Sequence, residues 1–452
     1  MTKKIVLKQI VRFTEFLKKI LPSPFSLAVI LTYLTFLLAW ILTDQTNQEK
    51  PHFLSLLGFW YKGFWELLEF TMQMMLILVL GYILALTKPV TLLINSLTRR
   101  INSTGSAAFW VTFVTLLFGY LNWGLALIFG AVLARKIAER FGAEGKKLNY
   151  PLVGAAGYVG LLVWHGGFSG SAPLKVAEKG HFLYERIGLV PLDDTILSTM
   201  NVSMFFVFLV LLPLVMFWLS KKTPEYPVSI KPDNNLPENK ENEKYLGGEK
   251  LDYSRKFSLL FSLFMLLTLL IKALNGHGLD FINLNFINFT LFALGILLTP
   301  NMAVFTGLAG RSIKAATGIM IQFPLYAGIM GVMKYSGLFM VFTDAFMKIS
   351  NEVTLPFFTF LSAGIVNFFV PSGGGQWAVQ GPVVVEAAKQ LGVPVSKVVM
   401  ALAYGDEWTN MLQPFWALPL LGITGLKAKD IVPYTFVLFV VAGVIFTLFL
   451  LF

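Results

Sequence analysis

The sequence predicts an all-α polytopic membrane protein made of two inverted repeats, and composition, segment length and internal repetition predict it. Of 452 residues, 56% are apolar and 13% charged, with a mean hydropathy of +0.69. A soluble globular chain carries roughly 25% charged residues. Apolar runs long enough to cross a hydrocarbon core as helices, which takes about 20 residues, alternate with short charged loops. The period-two alternation of a membrane barrel is absent.

Residues 1–24, MTKKIVLKQIVRFTEFLKKILPSP, are basic and amphipathic and show no signal-cleavage pattern, which predicts a cytosolic interfacial helix. A first repeat over 25–219 follows, then a charged cytosolic linker plus one extra span over 220–280, then a second repeat over 281–452. Spans are expected near 25–42, 69–87, 150–170, 197–219, 257–274, 281–299, 315–333, 396–424 and 433–452. Two longer apolar stretches, 105–134 and 354–388, are broken at Asn122-Trp123-Gly124 and at Pro371 to Gly375. Basic residues flank 105–134 on both sides: Lys88, Arg99 and Arg100 before it, Arg135, Lys136 and Arg140 after it. Both ends then belong on the cytoplasmic side, so the segment reads as a re-entrant helical hairpin. We read 354–388 the same way. Non-helical backbone is tolerated at membrane depth only where protein or a wet cavity surrounds it.

The repetition is weak at any one position and ordered overall. Gly119 to Asn122 matches Gly364 to Asn367 at an offset of 245, Tyr158 matches Tyr404 and Pro173 matches Pro419 at 246, and Gln73 matches Gln322 at 249. One extra crossing between the halves turns the second over, and inverted repeats with broken helices are a signature of secondary transporters.

Each half also ends with an irregular stretch, YVGLLVWHGGFSGSAPL (158–174) and YGDEWTNMLQPFWALPL (404–420). Two hairpin tips and two interrupted spans supply helix termini, whose free N–H groups suit a carboxylate. Glycine allows backbone to approach a ligand. No Lys or Arg falls mid-span in the core, so an anion must be held by amides and hydroxyls. The candidates are Asn122, Trp123 and Gly124 at the first tip, and Asn367, Ser372, Gly373, Gly374, Gly375, Gln376 and Trp377 at the second. Gly167, Ser169, Ser171 and Asn410 join them from the interrupted spans. Substitution of Gly374 by Ala is expected to impair the site. Asp406 and Glu407 are intramembrane carboxylates, which by default mark a cation or proton site, with Asn122 and Asn367 as further cation ligands. Plainer readings stand beside these. Asn122 and Asn367 also suit helix caps; Trp123, Trp377 and Trp408 suit packing as well as walling an apolar tail. His165 reads as a hydrogen-bonded structural residue, and Glu66 and Glu69 as solvated.

Other classes are excluded by what is missing. There is no cysteine, hence no disulfide or thiolate chemistry, and four scattered histidines make no metal cluster. The net charge of +11 comes from residues flanking spans, not from a nucleic-acid patch. There is no phosphate loop, and GFSGS (167–171) lacks a His-Asp partnership for acyl transfer. No cofactor is expected beyond Na⁺ as a coupling ion.

The stretches NFFVPSGGGQWAVQGP (367–382), ALAYGDEWTNMLQPFWALP (401–419), NWGLALIFGA (122–131) and GGFSGSAPL (166–174) resemble the short-chain fatty acid transporter family of the AtoE type, and the likeness spans the chain. The resemblance implies a bacterial inner-membrane carrier for acids such as acetoacetate or butyrate, symporting Na⁺ or H⁺. It also implies kinship with the ion transporter superfamily, with elevator-type homodimers, opposed hairpins and a cytoplasmic N-terminus. Two positions depart from the pattern, which has Gln at Glu407 and Gly at His165. A dicarboxylate or ion-exchange carrier on the same scaffold is the alternative, and a membrane-embedded acyl-transfer enzyme a distant third.

Overall fold

The computed structural model describes residues 22–43, 51–99, 101–181, 183–228, 230, 247–275, 281, 284–369 and 373–452. The interfacial helix expected over 1–24, much of the 220–280 linker, and Pro371 and Ser372 of the second tip therefore fall mainly outside the described residues. What is described is almost wholly helical, as apolar sequence with capped ends requires.

Leaving two four-residue helices aside, the first half contains α1 (Pro24–Leu42), α2 (His52–Phe64), α3 (Leu68–Leu86), α4 (Lys88–Thr98) and α5 (Thr104–Leu121). It continues with α6 (Trp123–Ala143), α7 (Tyr150–Ala156), α8 (Ser171–Val176) and α9 (Thr199–Ser220). Helix α10 (Arg255–Leu274) stands between the halves. The second half holds α11 (Leu284–Leu298), α12 (Met302–Ser312), α13 (Thr317–Tyr335), α14 (Leu338–Met347) and α15 (Leu355–Phe369). It closes with α16 (Gly373–Gln390), α17 (Val395–Thr409), α18 (Pro414–Thr424) and α19 (Ala428–Leu451).

Helix starts are written in polar residues. Ser23, Asn122, Ser198, Ser254 and Asn301 each accept a backbone N–H from the first turn of the helix that follows, the groups an α-helix leaves unpaired. Helix α18 begins at Pro414 and ends at Gly425, whose φ of 71° is the left-handed stop that glycine favours. Among the described residues five helices (within or spanning α1, α5, α9, α10 and α19) are long and apolar enough to cross a membrane. Leu260, Phe264 and Leu274 of α10 are exposed, presenting carbon to the surroundings as lipid demands.

Several segments differ from expectation. The spans near 69–87 and 315–333 are the second arms of bent pairs, α2–α3 at 40° and α12–α13 at 56°. Helices α2 and α12 are 13 and 11 residues long, below the length that marks a span in sequence. The 150–170 segment is no continuous helix: α7 stops at Ala156, and a 3-10 turn over Val159–Leu162 follows. Its glycines explain why. A Cβ on Gly160 would stand 2.4 Å from the Thr115 carbonyl of α5, and one on Gly157 2.8 Å from Gly130 of α6. Backbone-to-backbone contact with the neighbouring helices outweighs helix continuity here. Glu66 is not merely solvated. It accepts from Lys334 at 3.3 Å and from the Tyr335 hydroxyl, joining the end of α2 to α13.

Helices α5 and α6 fold back on each other at Asn122: Phe118 and Phe129 lie 4.7 Å apart, and a Cβ on Gly130 would meet Thr115. Helices α15 and α16 do likewise, with Gln376 Nε2 donating to the Ala363 carbonyl at 2.9 Å. The two halves interlock. Helix α1 packs on α13 while α11 packs on α3; α2 packs on α13 while α12 packs on α3; α6 meets α18 while α16 meets α8.

Candidate functional site

The first hairpin tip is built from one asparagine and one serine. Asn122, in extended conformation and buried, accepts from the N–H groups of Gly124 at 2.9 Å and Leu125 at 3.1 Å. Ser169 Oγ accepts from the Trp123 N–H at 3.1 Å. The amides that the sequence offers a carboxylate at this tip are thus bonded within the protein, because the cap and the serine reach them first. Gly124 allows close approach of Ile77, and Gly167 approach of the Tyr120 carbonyl, where a Cβ would stand 2.3 Å away.

At the second tip Gly373 lies against the next break, since a Cβ there would come within 2.6 Å of His165 Cε1. Gly374 is exposed and has room, its nearest neighbour being Ser171 at 3.8 Å from an added Cβ. Gly375 continues α16. Gln376 and Trp377 are both buried. Gln376 binds Ala363 and Gln380, and Trp377 sits in an apolar cluster with Ala172, Val176 and Leu402. Trp408 also packs, stacked on Phe439 at 4.2 Å and donating its indole N–H to the Phe439 carbonyl.

Helix α17 carries the two carboxylates to the loop after the other break. Asp406 Oδ2 lies 2.7 Å from His165 Nδ1, with both side chains almost fully buried. His165 Nε2 accepts from the Ala172 N–H at 3.1 Å. A ring nitrogen that accepts carries no proton, so Nδ1 holds it and donates to Asp406: the imidazole is neutral and Asp406 is the acceptor. Glu407 Oε2 accepts from the N–H groups of His165 at 2.8 Å and Gly166 at 3.3 Å. The hydrogen-bonded role that the sequence suggests for His165 is met by a partner 241 residues away. Neither Ser169 nor Ser171 bonds to this histidine, whose two nitrogens are committed to Asp406 and Ala172.

Asn367 does not cap a helix. Its Nδ2 donates to the Asp406 carbonyl, to Thr409 Oγ1 at 3.0 Å and to Asn410 Oδ1 at 2.9 Å. Tyr158, from the first half, donates to the carbonyls of Asn410 at 2.8 Å and Gln413 at 3.1 Å. Reciprocally, Tyr404 donates to Asn201 Oδ1 at 2.9 Å, and Asn201 donates to the Gly166 carbonyl. Each matched tyrosine thereby ties its own half to the other half's break.

A cluster of aromatic rings lies where these breaks meet the outer helices, and most of it escaped sequence reasoning. Trp123, Trp164 and Trp416 contact one another with centroids 5.1 to 6.2 Å apart. Phe70 of α3 touches Trp123 and Trp416, and stacks on Phe323 of α13 at 5.8 Å. The indole N–H groups of Trp164 and Trp416, like Asn410 Nδ2, are buried without an acceptor among the described residues. Buried donors are ordinarily bonded, so each of the three marks a place for an acceptor. By contrast, a cavity of about 110 Å³ between α3, α4 and the first hairpin is lined by carbon alone, including Ile77, Phe118, Ile128 and Leu291, and offers a carboxylate nothing. Among the described residues no cluster of three or more His, Asp and Glu could hold a metal.

Residues 6–452 match the sequence profile of the family described as Short chain fatty acid transporter. The chain belongs to the short-chain fatty acid transporter family. It is 38% identical over 440 residues to a protein of Escherichia coli strain K12, covering 96% of this chain and 97% of that one. It is 34% identical over 447 residues to a protein of Haemophilus influenzae, covering 95% and 96%. Both relatives carry the name "Putative short-chain fatty acid transporter". Among solved structures this short-chain fatty acid transporter family member is similar to the YdaH transporter of Alcanivorax borkumensis, at 16% identity and a TM-score of 0.43 over 95% of this chain and 98% of that one. It is also similar to MtrF of Neisseria gonorrhoeae, at 13% identity and a TM-score of 0.37 over 96% of both. Likeness at those scores carries no argument about the site.

Proposed function

We propose that this chain is a secondary carrier of short-chain monocarboxylates such as butyrate or acetoacetate, coupled to Na⁺ or H⁺. Its setting would be the bacterial inner membrane, with the N-terminus cytoplasmic and the protein a homodimer. The observation that carries the substrate reading is the ring cluster with its buried donors. A short acid has one carboxylate to accept from Trp164, Trp416 and Asn410 and a small tail to lie among Trp123, Phe70 and Phe323. The site draws rings from α3 and α13 on one side and from α6, α18 and the 164–170 loop on the other. Rigid-body motion of one set against the other would carry the substrate, as in an elevator. Reciprocal packing of α1–α13 with α11–α3, and of α2–α13 with α12–α3, supports inverted repeats, with α10 as the crossing that turns the second half over.

Titration of purified protein with butyrate or acetoacetate, followed by tryptophan fluorescence, tests this reading. A hydrogen bond to a charged group contributes roughly 1.5–3 kcal/mol, so Trp416→Phe should weaken binding about ten- to hundredfold. Trp408→Phe should leave affinity unchanged. Equal effects of the two substitutions would remove the ring cluster as the site. Competition by succinate, with none by butyrate, would transfer the scaffold to dicarboxylates.

A further inference from the structure

Only one of Glu407's oxygens is accounted for. Oε2 accepts two backbone N–H groups, whereas Oε1 is buried and meets no donor among the described residues. Beside the side chain lies a cavity of about 10 Å³ lined by Tyr120, Gly166, Asn201 and apolar side chains such as Met204 and Phe208, room for about one water. The polar groups in its wall are committed. Tyr120 donates to the Ile196 carbonyl, Asn201 Nδ2 to the carbonyls of Gly166 and Ile196, and Asn201 Oδ1 accepts from Tyr404.

The titratable groups facing Glu407 are Asp406 on its own helix, His165 on the opposing loop, and Tyr120 and Tyr404 around Asn201. None supplies positive charge, because the Ala172 N–H holds His165 in its neutral form. Asp406 Oδ2 is taken by His165, and the carboxylate next to it has no cation to offset it. A hard cation takes about six or more oxygen ligands; this cavity is walled largely by carbon.

We propose that Glu407 Oε1 is the proton-binding site of the carrier, filled with each carboxylate taken up and emptied on its release. The substrate moves as its anion, the Glu407 carboxylate gains a proton from solvent to become the acid, and the pair crosses without net charge. No bond of the substrate breaks. His165 and Gly166 act as positioning residues that hold the side chain through Oε2. The inference rests on the carboxylate-carrier reading and names its coupling ion.

Purified protein in weak buffer with a pH indicator, titrated with acetoacetate, decides it. Wild type should take up protons equimolar with the acid bound. Glu407→Gln should bind the acid with no proton uptake, and Glu407→Asp should keep the uptake. Binding by wild type without proton uptake overturns the inference alone, as does uptake that persists in Glu407→Gln. Failure of wild type to bind any short-chain acid overturns the functional reading and this inference with it. If Glu407→Gln does not fold, potential dependence decides instead. Initial uptake into proteoliposomes, corrected for leak into empty liposomes, should not respond to an imposed membrane potential, and a response overturns the proposal.

Discussion

Gly373 and Gly374 stand side by side, yet their surroundings differ. A methyl group on Gly373 runs into the His165 ring at 2.6 Å, whereas one on Gly374 makes ordinary contact with Ser171. Overpacking of this kind costs roughly 1–3 kcal/mol, so Gly373→Ala should lower uptake on the order of tenfold. Gly374→Ala should transport nearly as wild type, which reverses the expectation formed from sequence. Proteoliposome uptake at matched insertion checks the pair, and the opposite ranking would relocate the tip. Residues were legible here according to their cost in a membrane. Asp406 and Glu407 stand out in any apolar run, but Trp164, Trp416 and Phe70 look like ordinary apolar residues. The indole N–H groups of Trp164 and Trp416 are seen to lack an acceptor among the described residues only once neighbours are in place.

At the scale of elements, the hairpins are the decisive feature. Helices α5 and α6 turn at a single capping asparagine, and of the exposed positions Asn102 lies just before α5 while Ala143 is the last residue of α6. The chain has no native cysteine, so Asn102→Cys and Ala143→Cys can be labelled without background. Both should react with a membrane-impermeant thiol reagent from the cytoplasmic face. Reaction from opposite faces would make α5 a full crossing, for which its 18 residues are long enough. Hairpin breaks were readable because Pro, Asn and Gly interrupt long apolar runs. Helices α2 and α12 were not, because each is shorter than a span and completes one only through a bend.

Across the whole molecule, the proposed repeat pairs nine described helices of one half with nine of the other, and the chemistry does not repeat with them. By the 246-residue offset Asp406 and Glu407 correspond to Gly160 and Leu161, and His165 corresponds to Met411. One half supplies the carboxylates, the other the histidine and amides that hold them. Transport by relative motion needs the hairpin to slide past α3. A Cβ on Gly81 of α3 would stand 3.4 Å from Ile128 Cβ of α6, near the ~3.5–4.5 Å that a disulfide spans. Oxidation of a Gly81→Cys, Ile128→Cys double variant should arrest uptake, and reduction should restore it. Undiminished uptake in the cross-linked protein would exclude sliding at this contact.

The sequence by itself determined the membrane setting, the helical class, the two broken segments and the presence of buried carboxylates. Each follows from local composition, since a bilayer penalises charge and unpaired backbone wherever they occur along the chain. Only the tertiary structure decided which tip amides were already taken, that His165 is neutral and bound to Asp406, and that five rings from separate segments form one cluster. Those outcomes depend on contacts between residues some two hundred positions apart, and local pattern carries no record of which distant donor meets which acceptor.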